Sequence, residues 1–276
     1  MTVQRAAADK HLHLKSIEVR NIFATQGFPF NLPLVQSLHD LEFTTPVTFF
    51  VGENGTGKST LLEAIACAVE AVTVGSENIR TDKSLNEVRR FAQTLKLGWV
   101  RRTHRGFFLR AEDFFGYARS MNQIKADLQE DLKAVDEDYR DRSDYAKSLA
   151  KLPFQNELSD MQQRYGDGLD QRSHGESFLA LFQNRFVPDG LYLLDEPEAP
   201  LSPLRQLAFL AMLKDMVEQN GQFIIATHSP ILLAFPGATL LNFDTLPIKA
   251  VAYTDLEHVN LTKAFLNNPE SFLRHL

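Results

Sequence analysis

The chain has 276 residues, 44% hydrophobic and 23% charged, with a net charge of −6. It can bury one large core or two smaller ones, and it offers no overall positive field for nucleic acid. A single cysteine, Cys67, excludes an intrachain disulfide and fits a reducing compartment. A membrane span needs about 20 uninterrupted apolar residues; the nearest run, "FIIATHSPILLAFPGATLL", is broken by His228, Pro230 and Pro236. The opening "MTVQRAAADKHLHLK" lacks an apolar core of signal-peptide length, so a cytoplasmic protein is expected.

Taken in chain order, "HLKSIEVRNI" alternates like a strand and "LHDLEF" does so more weakly. Between them "GFPFNLPL" reads as an irregular loop, with Pro29 and Pro33 against regular structure. "VTFFV" at 47–51 is a short run suited to a strand buried on both faces. Leu61, Ile65, Ala68 and Val72 then recur at helical spacing, predicting a helix from Gly57 to about Val72. Ser84 and Glu87 suit the start of a short helix. "LKLGWVRR" and "GFFLR" are expected to pair as a hairpin turning at "THRG".

Residues 111–170 are polar, rich in helix formers and locally acidic, and predict a helical lobe inserted into an α/β core made of 1–110 and 171–276. "SFLALFQNRF" predicts a helix, "GLYLLDE" a buried strand, Arg205 to Glu218 a helix, "QFIIAT" a strand and "AVAYTD" a terminal strand. Strands alternating with helices predict a mostly parallel sheet. Charge is uneven: residues 89–110 carry Arg89, Arg90, Lys96, Arg101, Arg102, Arg105 and Arg110 and no acid. That run is either a solvated face or a basic surface for nucleic acid.

The sharpest motif is "GENGTGKST", Gly52–Thr60, flanked by a buried strand and a helix. Gly52, Gly55 and Gly57 let the backbone turn its N–H groups onto an anion. The helix beginning near Lys58 points its positive end at the same place. Lys58 reaches the β- and γ-phosphates and the Ser59 hydroxyl ligates Mg²⁺, with Glu53, Asn54, Thr56 and Thr60 completing the loop. A chance match to the four specified positions is on the order of one in a hundred for average composition. The motif in this context therefore predicts a nucleoside triphosphate site.

"LYLLDEPEAPLS" ends a buried strand in two carboxylates. Asp195 is assigned to the metal and Glu196 to the general base that takes a proton from attacking water. Glu198 is either a further site residue or part of the turn. "FIIATHSP" places His228 at the end of another buried strand, the edge where ligands of open α/β sheets collect, and there it can bond the γ-phosphate. "QRSHGESFL" is locally a capping box, with Ser173 as N-cap and Glu176 as its partner.

Phosphate loop, Ser-x-Gly-Glu segment, "LLDE" and a histidine after the next strand come in an order that resembles the ABC-type ATPases. The segment resembles their signature motif, with His174 in place of a glycine. Glu176 resembles the SMC/RecF-like branch, as does "LKSIEVRNI". "FVGENGTGKSTLLEAIA", "GFFLRAEDFF", "SHGESFL", "LLDEPEAPLSPLRQ" and "IIATHSPILLAFPGA" resemble a group of small stand-alone bacterial ATPases. The resemblance implies ATP and Mg²⁺ as cofactors and ATP hydrolysis. It also implies a head-to-tail homodimer in which Ser173, Gly175 and Glu176 of one chain meet the nucleotide on the other.

It departs in two places. "FFLRAEDFF" stands where these ATPases carry a glutamine, which makes Glu112 a metal candidate, with Arg110 beside it. Ser202 stands where an Asp is usual. An adenine-stacking aromatic is expected upstream, from Phe23, Phe28 or Phe30. The implied roles are a compact switch or clamp on a macromolecule, a transporter's ATP-binding subunit with a separate membrane partner, or a nucleotide-sensing regulator. About 60 inserted residues without a sustained heptad repeat argue against a long-armed tether.

Overall fold

Two sheets organise the chain, and the computed structural model describes residues 12–20, 27–74, 79–165 and 174–274. The smaller sheet is antiparallel, in the order β2 (Asp40–Glu42), β1 (Leu14–Val19), β4 (Leu95–Trp99). The larger has six strands, in the order β5 (Gly106–Arg110), β6 (Leu191–Asp195), β7 (Gln222–Ala226), β3 (Val47–Val51), β8 (Thr239–Asn242), β9 (Lys249–Val251). All its neighbours run parallel except β9, which is antiparallel to β8.

The helices are α1 (Pro33–Ser37), α2 (Lys58–Ala68), α3 (Asn86–Ala92), α4 (Ala111–Asp138), α5 (Asp144–Tyr165), α6 (His174–Arg185), α7 (Pro203–Glu218), α8 (Glu257–Asn267) and α9 (Pro269–Leu273). The chain is thus an α/β protein with the expected P-loop, ABC-ATPase-like layout: a mostly parallel core sheet, antiparallel strands towards the N-terminus, and helices entering between β5 and β6.

Strand alternation divides the interior into two cores. Phe50, Phe108, Leu193, Ile224 and Leu241 face one side, where they meet α2 and the smaller sheet through Leu61, Leu62, Ile65, Leu14 and Ile17. Phe49, Leu109, Leu194, Ile225 and Leu240 face the other, against Phe178, Phe182, Phe209 and Leu213 of α6 and α7. A fully buried glutamine fastens the two sheets together. Gln222 Oε1 accepts from the His13 and Leu14 N–H groups, each at 2.8 Å, and its Nε2 donates to the Leu14 carbonyl at 2.8 Å.

Several expectations change. β4 and β5 do not form a hairpin, because they belong to different sheets. The connector between them is tied to the approach to β6 instead: Arg101 and Arg105 pair with Asp189, and Thr103 Oγ1 donates to the Asp189 carbonyl. Gly106, at φ 106°, then enters β5 so close to the Leu191 backbone that a Cβ would overlap it. A side chain at that entry is sterically forbidden.

Pro33 does not disrupt regular structure but opens α1 at its first position, where a missing N–H is harmless. α2 stops at Ala68 and not near Val72, because Glu70 turns left-handed at φ 55° and the Ala71 N–H closes on the Ala66 carbonyl at 3.0 Å. Val72 and Val74 then run extended beside Phe108. The helix expected at Ser84 is capped by Asp82, which accepts from the Ser84 N–H at 2.8 Å. β8, α8 and α9 were not anticipated, and of "AVAYTD" only the start is strand.

The Gln222 bridge yields a stability prediction. Gln222→Leu keeps the volume but leaves two buried donors and one acceptor without partners, and should cost roughly 3 kcal/mol or more in a denaturant titration. Gln222→Glu should cost less than the leucine change, since a protonated carboxyl keeps one oxygen to accept from the two N–H groups and an O–H to donate to the Leu14 carbonyl.

Candidate nucleotide site

The carboxyl ends of the parallel strands line up the residues picked out in the sequence. In sheet order they present Arg110 from β5, Asp195 and Glu196 from β6, His228 after β7, the Gly52–Thr60 loop after β3, and Asp244 after β8. Arg110, Asp195 and Ala226 stand directly across from one another in the ladder. A cleft of about 300 Å³ opens there, lined by Phe28, Leu32, Asn54, Gly55, Gly57, Lys58, Ser59, Thr60 and Glu196. That volume is at the lower end of small-ligand sites.

The loop has the geometry an anion cradle needs. Gly55 and Gly57 take left-handed φ values of 83° and 95°, and α2 begins directly after Gly57. Lys58 is 5% exposed. Its Nζ donates to the Gly52 carbonyl at 2.7 Å and the Glu53 carbonyl at 2.8 Å. Burial lowers its pKa, opposed by the negative charges of Asp195, Asp244, Glu196 and Glu53. Thr56 Oγ1 donates back to the Glu53 carbonyl at 2.9 Å and tightens the turn.

Ser59 Oγ donates to Asp195 Oδ1 at 3.1 Å, which brings two hard oxygen ligands together as Mg²⁺ requires. Burial pushes the Asp195 carboxyl up to about 7; the Ser59 hydrogen bond and Lys58 counteract this, while Glu63 and Glu196 add to it. Glu196 adopts φ 49°, rare for a residue other than glycine. Such strain costs on the order of 1–3 kcal/mol and collects at working sites. Its N–H is fixed on the Ala226 carbonyl at 2.9 Å, and its side chain lines the cleft.

His228 donates its backbone N–H to Glu198 Oε1 at 2.7 Å. Glu198, ambiguous in sequence, thus holds the end of β7 against the loop after β6, and burial raises its own pKa. The His228 Nε2 is buried and has no hydrogen-bond partner among the described residues. Burial, followed by the charge of Lys58, lowers its pKa.

Other expected residues are placed differently. Glu112 is turned outward, 76% exposed, with its carboxylate 3.8 Å from Arg110 Nε, so it does not join Ser59 and Asp195. Arg110 is engaged by Asp82 at 2.7 Å, Asp113 at 2.8 Å and Glu63 at 3.2 Å. Among the described residues no group of three or more His, Cys, Asp or Glu is arranged to hold a metal. The structure therefore brings together Ser59 and Asp195 of the expected metal set.

Ser173 and Phe23 lie outside the described residues. Gly175 packs where a Cβ would come within 2.8 Å of Arg205 Cδ and 2.9 Å of the Pro200 carbonyl. Glu176 Oε1 accepts from Arg205 Nη2 at 2.7 Å, fastening the start of α6 to α7. Phe30 is 4% exposed and packs edge-on to Phe91, whereas Phe28 is 48% exposed at the cleft. Of the basic run, Arg90 pairs with Glu87, Lys96 with Glu18, and Arg101 and Arg105 with Asp189. Arg89 is spent on the Ile79 and Asp82 carbonyls.

Sequence reasoning passed over Asp244 and His258. Asp244 Oδ1 accepts from the Glu53 N–H at 2.6 Å, a direct hold on the phosphate loop. The available signal was "TLLNFD", an apolar run ending in an acid, as in "LYLLDE".

A P-loop nucleotide-binding protein is the class that this loop and this strand edge define. Residues 80–234 match a family described as "AAA domain, putative AbiEii toxin, Type IV TA system", and residues 28–94 match another described as "AAA domain". The first match spans more than half of the chain, and the chain belongs to that AAA-domain family.

An uncharacterized ABC transporter ATP-binding protein of Haemophilus influenzae is 26% identical over 252 residues, covering 88% of each chain. The macrolide export ATP-binding/permease protein MacB of Psychrobacter cryohalolentis is 25% identical over 235 residues, covering 83% of this chain and 32% of its own length. The SMC head domain of Pyrococcus furiosus aligns with a TM-score of 0.44 at 11% identity, over 92% of this chain and 99% of its own.

The raised Asp195 carboxyl has a measurable consequence. The folded protein keeps that proton up to about pH 7, while an unfolded aspartate releases it near pH 4. The unfolded chain therefore binds fewer protons in this window, so stability falls as pH rises through it and levels off above. In thermal or denaturant unfolding without nucleotide or metal, Asp195→Asn should remove that slope, a difference approaching roughly 4 kcal/mol across the window. Parallel curves for wild type and variant would contradict the assignment.

Proposed function

We propose that the protein binds ATP with Mg²⁺ at the Gly52–Thr60 loop and hydrolyses it. The observation that carries this reading is the meeting of a buried Lys58 with the Ser59–Asp195 pair at one strand edge. Gly52, Glu53, Asn54, Gly55, Thr56, Gly57 and Thr60 wrap the phosphates with backbone N–H groups. Lys58 exchanges its two loop carbonyls for β- and γ-phosphate oxygens. Ser59 and Asp195 hold Mg²⁺, which supplies charge neutralisation of the phosphates when bound.

Glu196 takes the proton of the attacking water as that oxygen bonds to the γ-phosphorus and the β,γ-bridging P–O bond breaks. His228 bonds the γ-phosphate through the Nε2 that the protein leaves unpaired. Phe28, exposed at the cleft, is the aromatic that stacks on adenine.

We further read the functional unit as a head-to-tail homodimer in which the start of α6, with Ser173, Gly175 and Glu176, meets the nucleotide of the other chain. The Glu176–Arg205 bond supports a rigid presentation of that helix start. In this reading the helices of 111–170 form a lobe that carries nucleotide state to a macromolecular partner. A nucleic-acid partner on residues 89–110 would have to compete with Glu18, Glu87 and Asp189 for their cations, so binding there should be steeply salt-dependent. The name of the Haemophilus influenzae relative supports a second reading, the ATP-binding subunit of a transporter.

Two variants test the core of this proposal. Lys58→Ala should weaken ATP binding at least about tenfold, the scale of one lost charge-assisted bond, and unchanged affinity would remove the phosphate-loop assignment. Glu196→Gln should bind ATP, lose turnover and elute as a dimer from a sizing column when ATP is present. Elution of that variant as a monomer at saturating ATP would defeat the shared-nucleotide dimer while leaving the ATPase reading in place.

A further inference from the structure

The strand edge holds an imidazole for which the roles above have no use. His258 sits in the first turn of α8, between Leu256 and Val259, both 3% exposed and part of the second core. Those two anchors fix the helix start against the sheet. The His258 Nε2 is buried and has no hydrogen-bond partner among the described residues, which is also the condition of the His228 Nε2. The two rings come from separate parts of the chain, one after β7 and one beyond β9. Tyr253 Oη donates to the Pro230 carbonyl at 3.0 Å and holds the approach to α8 against the loop after β7, and the charge of His258 is among the causes that lower the His228 pKa. Asp244 and Glu53 act to raise the His258 pKa and Lys58 to lower it, as for a ring within electrostatic reach of the phosphate loop. Asp244, in turn, grips the Glu53 N–H at 2.6 Å.

A buried ring nitrogen without a partner is costly, and folded proteins leave few. Two such atoms, both within electrostatic reach of Lys58, point to a group from outside the chain that completes them. The same region contains a lysine whose ammonium rests on two backbone carbonyls. A group that satisfies two imidazole nitrogens and attracts an ammonium is an anionic oxygen cluster. Burial is the largest cause lowering the pKa of both histidines, and it favours the neutral form of each ring. An incoming anion favours their protonated, donating forms. The charges facing His258 are Asp244 and Glu53, which favour protonation, and Lys58, which opposes it. A phosphate that draws Lys58 to itself relieves that opposition.

We propose that His258 is a second phosphate-contacting histidine, whose Nε2 bonds an oxygen of the terminal phosphoryl group of a bound nucleoside triphosphate. The proposal rests on the reading that Gly52–Thr60 binds a triphosphate, and it adds a residue that distinguishes triphosphate from diphosphate. It also ties α8, and the α9 helix that follows it, to the presence of the terminal phosphate.

The test is equilibrium binding by calorimetry of ADP and of a non-hydrolysable β,γ-imido ATP analogue to wild type, His258→Phe, His258→Gln and Lys58→Ala. Phenylalanine keeps the ring volume without the nitrogens, and a matching thermal melt shows that the variant is folded. Should it not fold, His258→Ala is measured in its place. His258→Phe should weaken the triphosphate analogue about tenfold, the scale of one hydrogen bond to a charged group, and leave ADP within about twofold. His258→Gln, whose amide can still donate, should recover part of the loss.

If Lys58→Ala loses both nucleotides while His258→Phe changes neither, or changes both equally, the second histidine is refuted and the phosphate loop stands. If Lys58→Ala binds both nucleotides normally, the phosphate-loop reading falls and this proposal falls with it.

Discussion

The arrangement depends on one buried positive charge. Lys58 is taken out of water at the carboxyl edge of a parallel sheet, where its Nζ meets two backbone carbonyls and no directly bonded carboxylate. An ammonium in such a place is tolerated only if its surroundings are negative. Asp195, Glu196, Asp244 and Glu53 supply that field from β6, the segment after β8 and the loop itself. None of them is close enough to neutralise the lysine in a tight pair, so the ammonium keeps its pull for an anion that can approach it directly. Burial of Asp195 next to Ser59 is the counterpart: a carboxyl held up to about 7 gives up its proton readily when a cation arrives.

The fold creates that charge distribution through strand direction. Because β5, β6, β7, β3 and β8 all run the same way, the residue that ends each strand reaches the same edge. The strands β3, β6 and β7 are apolar apart from buried Thr48, Tyr192 and Gln222 and the terminal Asp195, so charged groups are confined to their ends. Gln222 has a different task at the opposite end of β7: it replaces backbone pairing between two sheets that share no ladder. The small sheet and α2 then cover one face of the larger sheet.

What could be read in the sequence was whatever is local. The Gly52–Thr60 loop, the "LLDE" strand end and His228 each declare themselves within about ten residues, since strand, turn and helix start are contiguous there. The missed features depend on contacts between distant segments. β4 and β5 look like hairpin arms in sequence, yet Asp189 claims the arginines of their connector and Gly106 admits β5 beside Leu191. Asp244 reaches the phosphate loop only because β8 pairs with β3, which the four-residue "TLLN" does not announce. The basic run is contiguous in sequence, and folding scatters it among acids from Glu18 to Asp189. The helix at 111 was foreseeable from composition; what Arg110 does just before it was not.

Arg110 shows how far the site extends beyond the phosphates. It ends β5 next to Asp195 and binds Glu63 of α2, Asp82 and Asp113 of α4 in one nearly buried cluster. Burial acts to lower the pKa of a guanidinium in that place, but Asp113, Asp82 and Glu63 more than offset it and its pKa is raised. Glu63 stands on α2 one turn beyond Ser59, and its charge is among those that raise Asp195. Arg110 therefore screens the metal-side carboxylate from a second acid while joining it mechanically to the first turn of α4. At the position where the family resemblance led us to expect a glutamine, this chain has an ion cluster whose strength depends on how α4 sits against α2. An uncharged side chain there would leave Glu63, Asp82 and Asp113 facing one another without a cation, and Asp195 would be harder still to ionise.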